Sequence, residues 1–308
     1  MNRKRFIDVF IILIMFFLTG ALVIDQSAAT ALTLAKKQRS NAIARGQVAP
    51  RQSFFEIHME PTTATERMFS QLRKLVSYAD QYGIKTTLLF TPQWVEMILK
   101  DSSKMNQIKA WRGEGHEIGG HHHALSEIDR TMCVWDGYTN LEINKSDLLK
   151  IKEKCTEEKP VLLQYWNRLL EDSKYPQTMN QYMSVLSKLG DIKTVTMSGG
   201  AIDWPDGPVC EGGGRRLETA ISLPRTIMLN NHPVTKLGGV ALLPRGDSLR
   251  RSASLAQLKQ EYLSTKEGIF GVVIHPDDFV QDPDLYKQWF EFLREQQTIS
   301  MTLGELCG

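Results

Sequence analysis

Apolar and polar positions along this chain follow two periods, and one apolar stretch follows neither. Residues 9–24, "VFIILIMFFLTGALVI", carry no charge and come after the basic Asn2-Arg3-Lys4-Arg5. Further on, "SFFEIHM" at 53–59 has strand character. The next run, "TERMFSQLRKLVSYADQYG", opens on Thr65 as a cap. It places Met68, Leu72, Leu75, Val76 and Ala79 at helical spacing and stops at Gly83. "IKTTLLF" at 84–90 predicts a second strand, a helix follows to about 112, and Gly115 opens a short strand, "HEIGGH". Helices are expected at 160–171 and 178–189, with a strand at 192–197. Residues 198–250 are rich in Gly, Pro and Asn, with short apolar runs at 220–223 and 239–243. The pattern then resumes: helix "SLAQLKQEYLST", buried-type strand 268–275, helix "DPDLYKQWFEFLREQQ" and a last strand "TISMT".

Strands alternating with helices predict parallel βαβ units in one α/β domain over residues 51–308. Some six to eight such units suit a barrel, whose chemistry sits at the C-terminal strand ends. The N-terminal segment reads as an export signal, with small residues around Ala29 and Ala31 where cleavage is expected. Sixteen apolar residues fall short of the roughly 20 of a spanning helix but are long for a simple signal. Residues 1–31 are therefore a signal peptide or an uncleaved membrane anchor through 9–24, and 32–50 a linker. Either way the domain is expected outside the cytoplasm: periplasmic, secreted or anchored.

Composition adds limits. With 37 basic and 35 acidic residues the net charge is +2, which gives no electrostatic reason to expect nucleic acid as a partner. The four cysteines, Cys133, Cys155, Cys210 and Cys307, contain no CxxC pair. In an exported chain they permit two disulfides in any of three connectivities, one of which joins Cys133 to Cys155 beside the histidine cluster.

The candidate chemistry lies at the predicted strand ends. "GEGHEIGGHHHALSE" at 113–127 holds four of the seven histidines. His58 with Glu60, and His121 with His123, stand two residues apart, so each pair shares one strand face. Glu60, His121 and His123 make a three-ligand set for a divalent metal that keeps a further position for water. His275 ends the late apolar strand and is a candidate proton donor, and Asp277 and Asp278 either orient it or cap the next helix. His116 and His232 are expected to be structural.

"GHEIGGHHH" resembles the second motif of the NodB-type polysaccharide deacetylases, in which a Gly-His-Glu-Ile-Gly stretch leads to a metal-binding histidine. "YGIKTTLLFTPQWVE" resembles the family segment upstream of that motif, and "GVVIHP" its late strand ending in a catalytic histidine. The likeness covers roughly residues 53–125 and 268–303. It implies a distorted (β/α) barrel, a divalent metal (zinc first, with cobalt, nickel or manganese as alternatives) and hydrolysis of an N- or O-acetyl group on a polysaccharide. By position, His121 matches the first metal histidine and His275 the acid. Where the family has paired aspartates this chain has "IHMEP", so Glu60 matches the metal carboxylate and His58 is left as base or fourth ligand. Where the family has its second metal histidine this chain has Leu125, so His123 or His122 takes that role. In "WDGYTN", Trp135 and Tyr138 are candidates to stack on sugar rings, and Asp136 is a candidate base or partner of the ligands. Asp277 is a candidate substrate contact. The rival expectations are a glycan-binding barrel without turnover and a metallohydrolase acting on another bond.

Overall fold

The computed structural model describes residues 51–125, 133–172, 174–198, 201–213, 221–243, 254–264 and 267–308. The N-terminal apolar segment and linker expected at 1–50 lie outside the described residues. Among the described residues, no helix is long and apolar enough to cross a membrane.

The first half runs β1 (Gln52–His58), α1 (Glu66–Gln81), β2 (Thr87–Phe90), α2 (Pro92–Leu99), α3 (Ser102–Gly113) and β3 (Glu117–His123). The Thr65 side chain caps α1 by accepting from the Met68 N–H, and the helix buries Phe69, Leu72, Leu75, Val76 and Ala79. Truncating one of these, as in Leu75→Ala, costs about 2–5 kcal/mol. The expected single helix up to 112 is two, because Asp101 breaks the run and caps α3 through the Ser103 N–H. A small lobe follows, with α4 (Lys145–Glu158) and α5 (Leu163–Glu171). Its own core gathers Leu125, Cys133, Trp135, Leu148, Cys155, Tyr165, Trp166 and Leu169. The remainder is α6 (Met179–Leu186), β4 (Thr194–Ser198), β5 (Cys210–Glu211), β6 (Ile221–Ser222), β7 (Arg225–Leu229), β8 (His232–Lys236) and β9 (Val240–Ala241), then α7 (Leu255–Ser264), β10 (Ile269–Ile274), α8 (Pro276–Gln281), α9 (Pro283–Glu295), β11 (Ile299–Ser300) and α10 (Leu303–Cys307).

The strands form one sheet in the order β6-β10-β1-β2-β3-β4-β5-β8-β7, with β9 beside β10 and β11 beside β1. From β10 to β8 all neighbours are parallel, as the βαβ alternation predicts. The sheet is curled. β1 and β5 are four positions apart in it, which in a flat sheet would be about 19 Å. Yet the Gly213 N–H, just past β5, donates to Glu56 Oε1 of β1 at 3.1 Å. Side chains on β1 alternate accordingly: Phe55 and Ile57 join the large core under the helices, while Phe54 packs with Cys210, Leu237 and Leu303 inside the curl. Disulfides join Cys133 to Cys155 and Cys210 to Cys307, with Cα–Cα distances of 5.2 and 5.8 Å.

Candidate metal centre

Three strand ends converge inside the curl, and Glu60, two residues past β1, is where they meet. Its Oε2 lies 2.8 Å from His123 Nε2. Its Oε1 lies 3.7 Å from His121 Nε2 and 3.0 Å from His275 Nε2. The Trp94 indole N–H donates to the Glu60 carbonyl at 3.0 Å and holds the turn. His121 and His123, both inward on β3, bring their Nε2 atoms to 2.9 Å of each other.

This donor set fits a divalent cation. One ligand atom from each of Glu60, His121 and His123 lies within 4.8 Å of the others. Two imidazole nitrogens 2.9 Å apart cannot both accept, so a proton or a cation belongs between them. One carboxylate with two imidazoles is a donor set that suits zinc and its neighbours. Burial, with His58 next in weight, holds the His121 ring well below the usual histidine range, which keeps it in the neutral form a metal needs. Burial works against the charge on Glu60, but His123, His121 and His275 outweigh it and hold the carboxylate well below its usual range.

Two further imidazoles flank the set. The His58 ring centroid is 4.5 Å from that of His121 and 5.8 Å from that of His275. His58 Nε2 meets Glu56 Oε2 at 2.9 Å. Glu56 is fully buried, and desolvation pushes its carboxyl up to about 8 despite the Gly213 N–H. His275 is held from its other edge: Asp278 Oδ2 lies 3.0 Å from Nδ1 and accepts the His275 backbone N–H at 3.0 Å. Asp278 therefore both caps α8 and orients the imidazole.

The middle histidine faces the other way. His122 points to the outer side of β3, where its Nδ1 is 2.8 Å from Asp136 Oδ2 and its Nε2 is 3.7 Å from Asp203 Oδ2. All three are fully buried. Burial opposes the charge on His122, but the two aspartates raise its pKa to about 9. Asp136 also accepts the His123 and Tyr138 backbone N–H groups, and Asp203 accepts from the Asn140 N–H and the Thr139 hydroxyl.

The structure thus brings together His58, Glu60, His121, His123 and His275. Asp277, exposed on α8, has a ligand atom within 4.8 Å of those of His275 and Asp278. It does not bring Asp136 into the centre. That carboxylate lies across β3 from Glu60, and its oxygens are used by His122 and two backbone amides. Trp135 and Tyr138 are not rim aromatics either. Trp135 is buried against Trp166 with its N–H on the Tyr138 carbonyl, and Tyr138 is buried among Tyr175 and Tyr182. The turn between them needs Gly137 at φ 98°, with the Tyr175 ring packed where a Cβ would stand.

Glu56 and Asp203 are buried carboxylates beside these histidines that the sequence reading passed over. Glu56 carries the same two-residue spacing from His58 that picked out the other pairs, so that signal was present. Asp203 comes from a distant short turn and carries none. A groove of about 840 Å³, which starts at Pro61 next to Glu60 in sequence, is lined among others by Gln93, Met97, Tyr165, Arg168 and Tyr175, and by none of the histidines of the centre. Gln93 donates to the Asp136 carbonyl, and the Tyr165 hydroxyl donates to the Trp135 carbonyl, so its walls are tied to the outer face of β3.

No family model matches the chain, and no curated protein matches it. Among solved structures it is similar to several deacetylases. Peptidoglycan deacetylase PdaC from Bacillus subtilis is 12% identical, with a TM-score of 0.39 over 83% of this chain and 89% of that one. The chitin deacetylase from the fungal pathogen Colletotrichum lindemuthianum is 11% identical, with a TM-score of 0.39 over 83% and 85%. A 4-alpha-glucanotransferase from Thermococcus litoralis is 14% identical, with a TM-score of 0.43, and the match takes in 83% of this chain but 37% of that one. At such identities and TM-scores these likenesses assign no residue and no substrate to this chain.

Proposed function

We propose that this protein is an exported, metal-dependent hydrolase that removes acetyl groups from a polysaccharide. One observation carries the reading: Glu60, His121 and His123 converge on a point flanked on two sides by imidazoles, each held by its own buried carboxyl. Glu60, His121 and His123 would hold the cation. A divalent ion in such a set polarises an acyl carbonyl and lowers the pKa of a water.

The chain's own residues supply the proton transfers. His58 is the base that takes a proton from the attacking water. His275 presents Nε2 to the centre, because Asp278 holds Nδ1, and returns a proton to the departing nitrogen or oxygen. Water adds to the acetyl carbonyl, the C–N or C–O bond breaks, and acetate leaves beside a free amine or hydroxyl. The groove that starts at Pro61 is the proposed seat of the rest of the sugar chain, and exposed Asp277 remains a candidate contact to it. Two disulfides suit an oxidising compartment, in keeping with the basic and apolar N-terminus.

The test is elemental analysis of the full chain, purified without chelator or histidine tag, followed by acetate release from a panel of N- and O-acetylated glycans. About one zinc, cobalt, nickel or manganese per chain together with acetate release is expected. A metal-bearing protein that releases no acetate yet cleaves other esters or amides would move the assignment to another bond. A protein that takes up no metal would overturn the reading.

A further inference from the structure

Glu56 touches the proposed base, and it sits where a carboxyl is costly. It is fully buried inside the curl, and burying an acid without specific partners is unfavourable. Its seat is built from elements distant in sequence. The Gly213 N–H donates to Oε1 at 3.1 Å. The Thr196 hydroxyl of β4, buried and with no hydrogen-bond partner at normal range, adjoins the carboxyl and favours its charge. Gly212 has no side chain, and a Cβ there would stand 2.8 Å from Glu56 Oε2 as well as striking Leu303. The opposite oxygen, Oε2, meets His58 Nε2 at 2.9 Å. His58 itself is the ring between His121 and His275.

Packing alone does not call for this arrangement. A Leu would fill the space without a desolvation cost, and the Gly213 N–H and the Thr196 hydroxyl would then face no acceptor there. A carboxyl on one ring nitrogen of a histidine sets the tautomer and the ring angle, and so defines what the other nitrogen offers.

We infer that Glu56 is a positioning residue for His58: seated by Gly212, Gly213 and Thr196, it accepts in its ionised form from the His58 Nε2–H, so that Nδ1 keeps the lone pair offered to the reaction. The inference rests on the proposed role of His58, but its geometric part is measurable without turnover.

The experiment is nitrogen NMR of the histidine rings in the full chain, zinc-loaded, for wild type, Glu56→Gln, Glu56→Leu and Thr196→Val, with kcat and KM for acetate release measured alongside. His58 in the wild type is expected as a single tautomer paired at Nε2. Glu56→Gln keeps one tautomer, Glu56→Leu moves the His58 shifts toward the averaged values of a free ring, and Thr196→Val moves them less. Zinc content stays unchanged throughout. In Glu56→Leu, kcat falls about 10–100-fold with KM within about twofold, and Glu56→Gln recovers part of the loss. His58 shifts unmoved in Glu56→Leu would overturn the inference, and should that variant not fold, unmoved shifts in Thr196→Val would do the same. If the wild type releases no acetate at all, the deacetylase reading fails while the ring shifts still decide the place of Glu56.

Discussion

The two faces of β3 carry the same residue type in three consecutive positions and use it in different ways. On the inner face His121 and His123 stand with their Nε2 atoms 2.9 Å apart around Glu60, and burial keeps the His121 ring neutral. On the outer face His122 lies between Asp136 and Asp203, which raise its pKa to about 9. The inner face has fewer carboxylates than imidazoles and suits a cation from outside. The outer face has more carboxylates than imidazoles, so the histidine itself is the cation. Strand alternation alone separates the two situations. The outer face also supports the inner one, because Asp136 accepts the His123 backbone N–H.

Removing one residue from each face should separate the two roles. The largest effect is expected from His121→Ala: metal content near zero by elemental analysis, and loss of several kcal/mol of transition-state stabilisation, about 10³-fold in acetate release. Its melting temperature without metal should stay near that of the metal-free wild type. His122→Ala leaves two buried aspartates uncompensated and should cost about 3–5 kcal/mol in denaturant unfolding while one metal per chain is retained. The reverse pattern, with metal lost from His122→Ala and kept in His121→Ala, would exchange the roles of the two faces.

The outer face also sets a pH dependence. His122 is raised in the fold from 6.5 to about 9, so its contribution is fully present below about pH 6.5 and is lost as pH rises through 9. Glu56 acts in the same direction, because an acid raised from 4.5 to about 8 loses stability as pH climbs between those values. Metal-free wild type should therefore weaken steadily from pH 6.5 to 9, and His122→Phe should keep only the Glu56 share of that slope up to 8. An equal slope in both proteins above pH 8 would refute the assignment of the outer face. The smallest effect is expected from Asp278→Asn, which leaves an oxygen for His275 but removes the charge: kcat down about tenfold, metal content unchanged.

Much of this was legible before any coordinates, for a physical reason. Strand ends carry their function in short runs, so His58, Glu60, His121, His123 and His275 stand out by spacing and by their place after apolar segments. The aromatics misled because a Trp or Tyr near a polar cluster reads the same whether it faces solvent or its own small core. Trp135 faces the Trp166 core, and composition does not record that choice. Residues 198–250 resisted reading because β5, β6 and β9 are two residues long. Such strands owe their existence to neighbours already in place, not to local pattern. Likewise, the second partner of His122 is 81 residues away at Asp203, a pairing made because β4, which leads to Asp203, lies beside β3 in the sheet.

The bond from Gly213 to Glu56 spans 157 residues and crosses the interior of the sheet. A contact so remote in the chain carries a large loop-closure cost and is expected late in folding. The seat of the His58 partner is thus expected to close only once strands far apart in sequence have come together. A partly folded chain, still short of that closure, presents loose imidazoles to passing ions but no assembled reaction centre. On the proposed function, acetate release is therefore expected only from the fully closed fold.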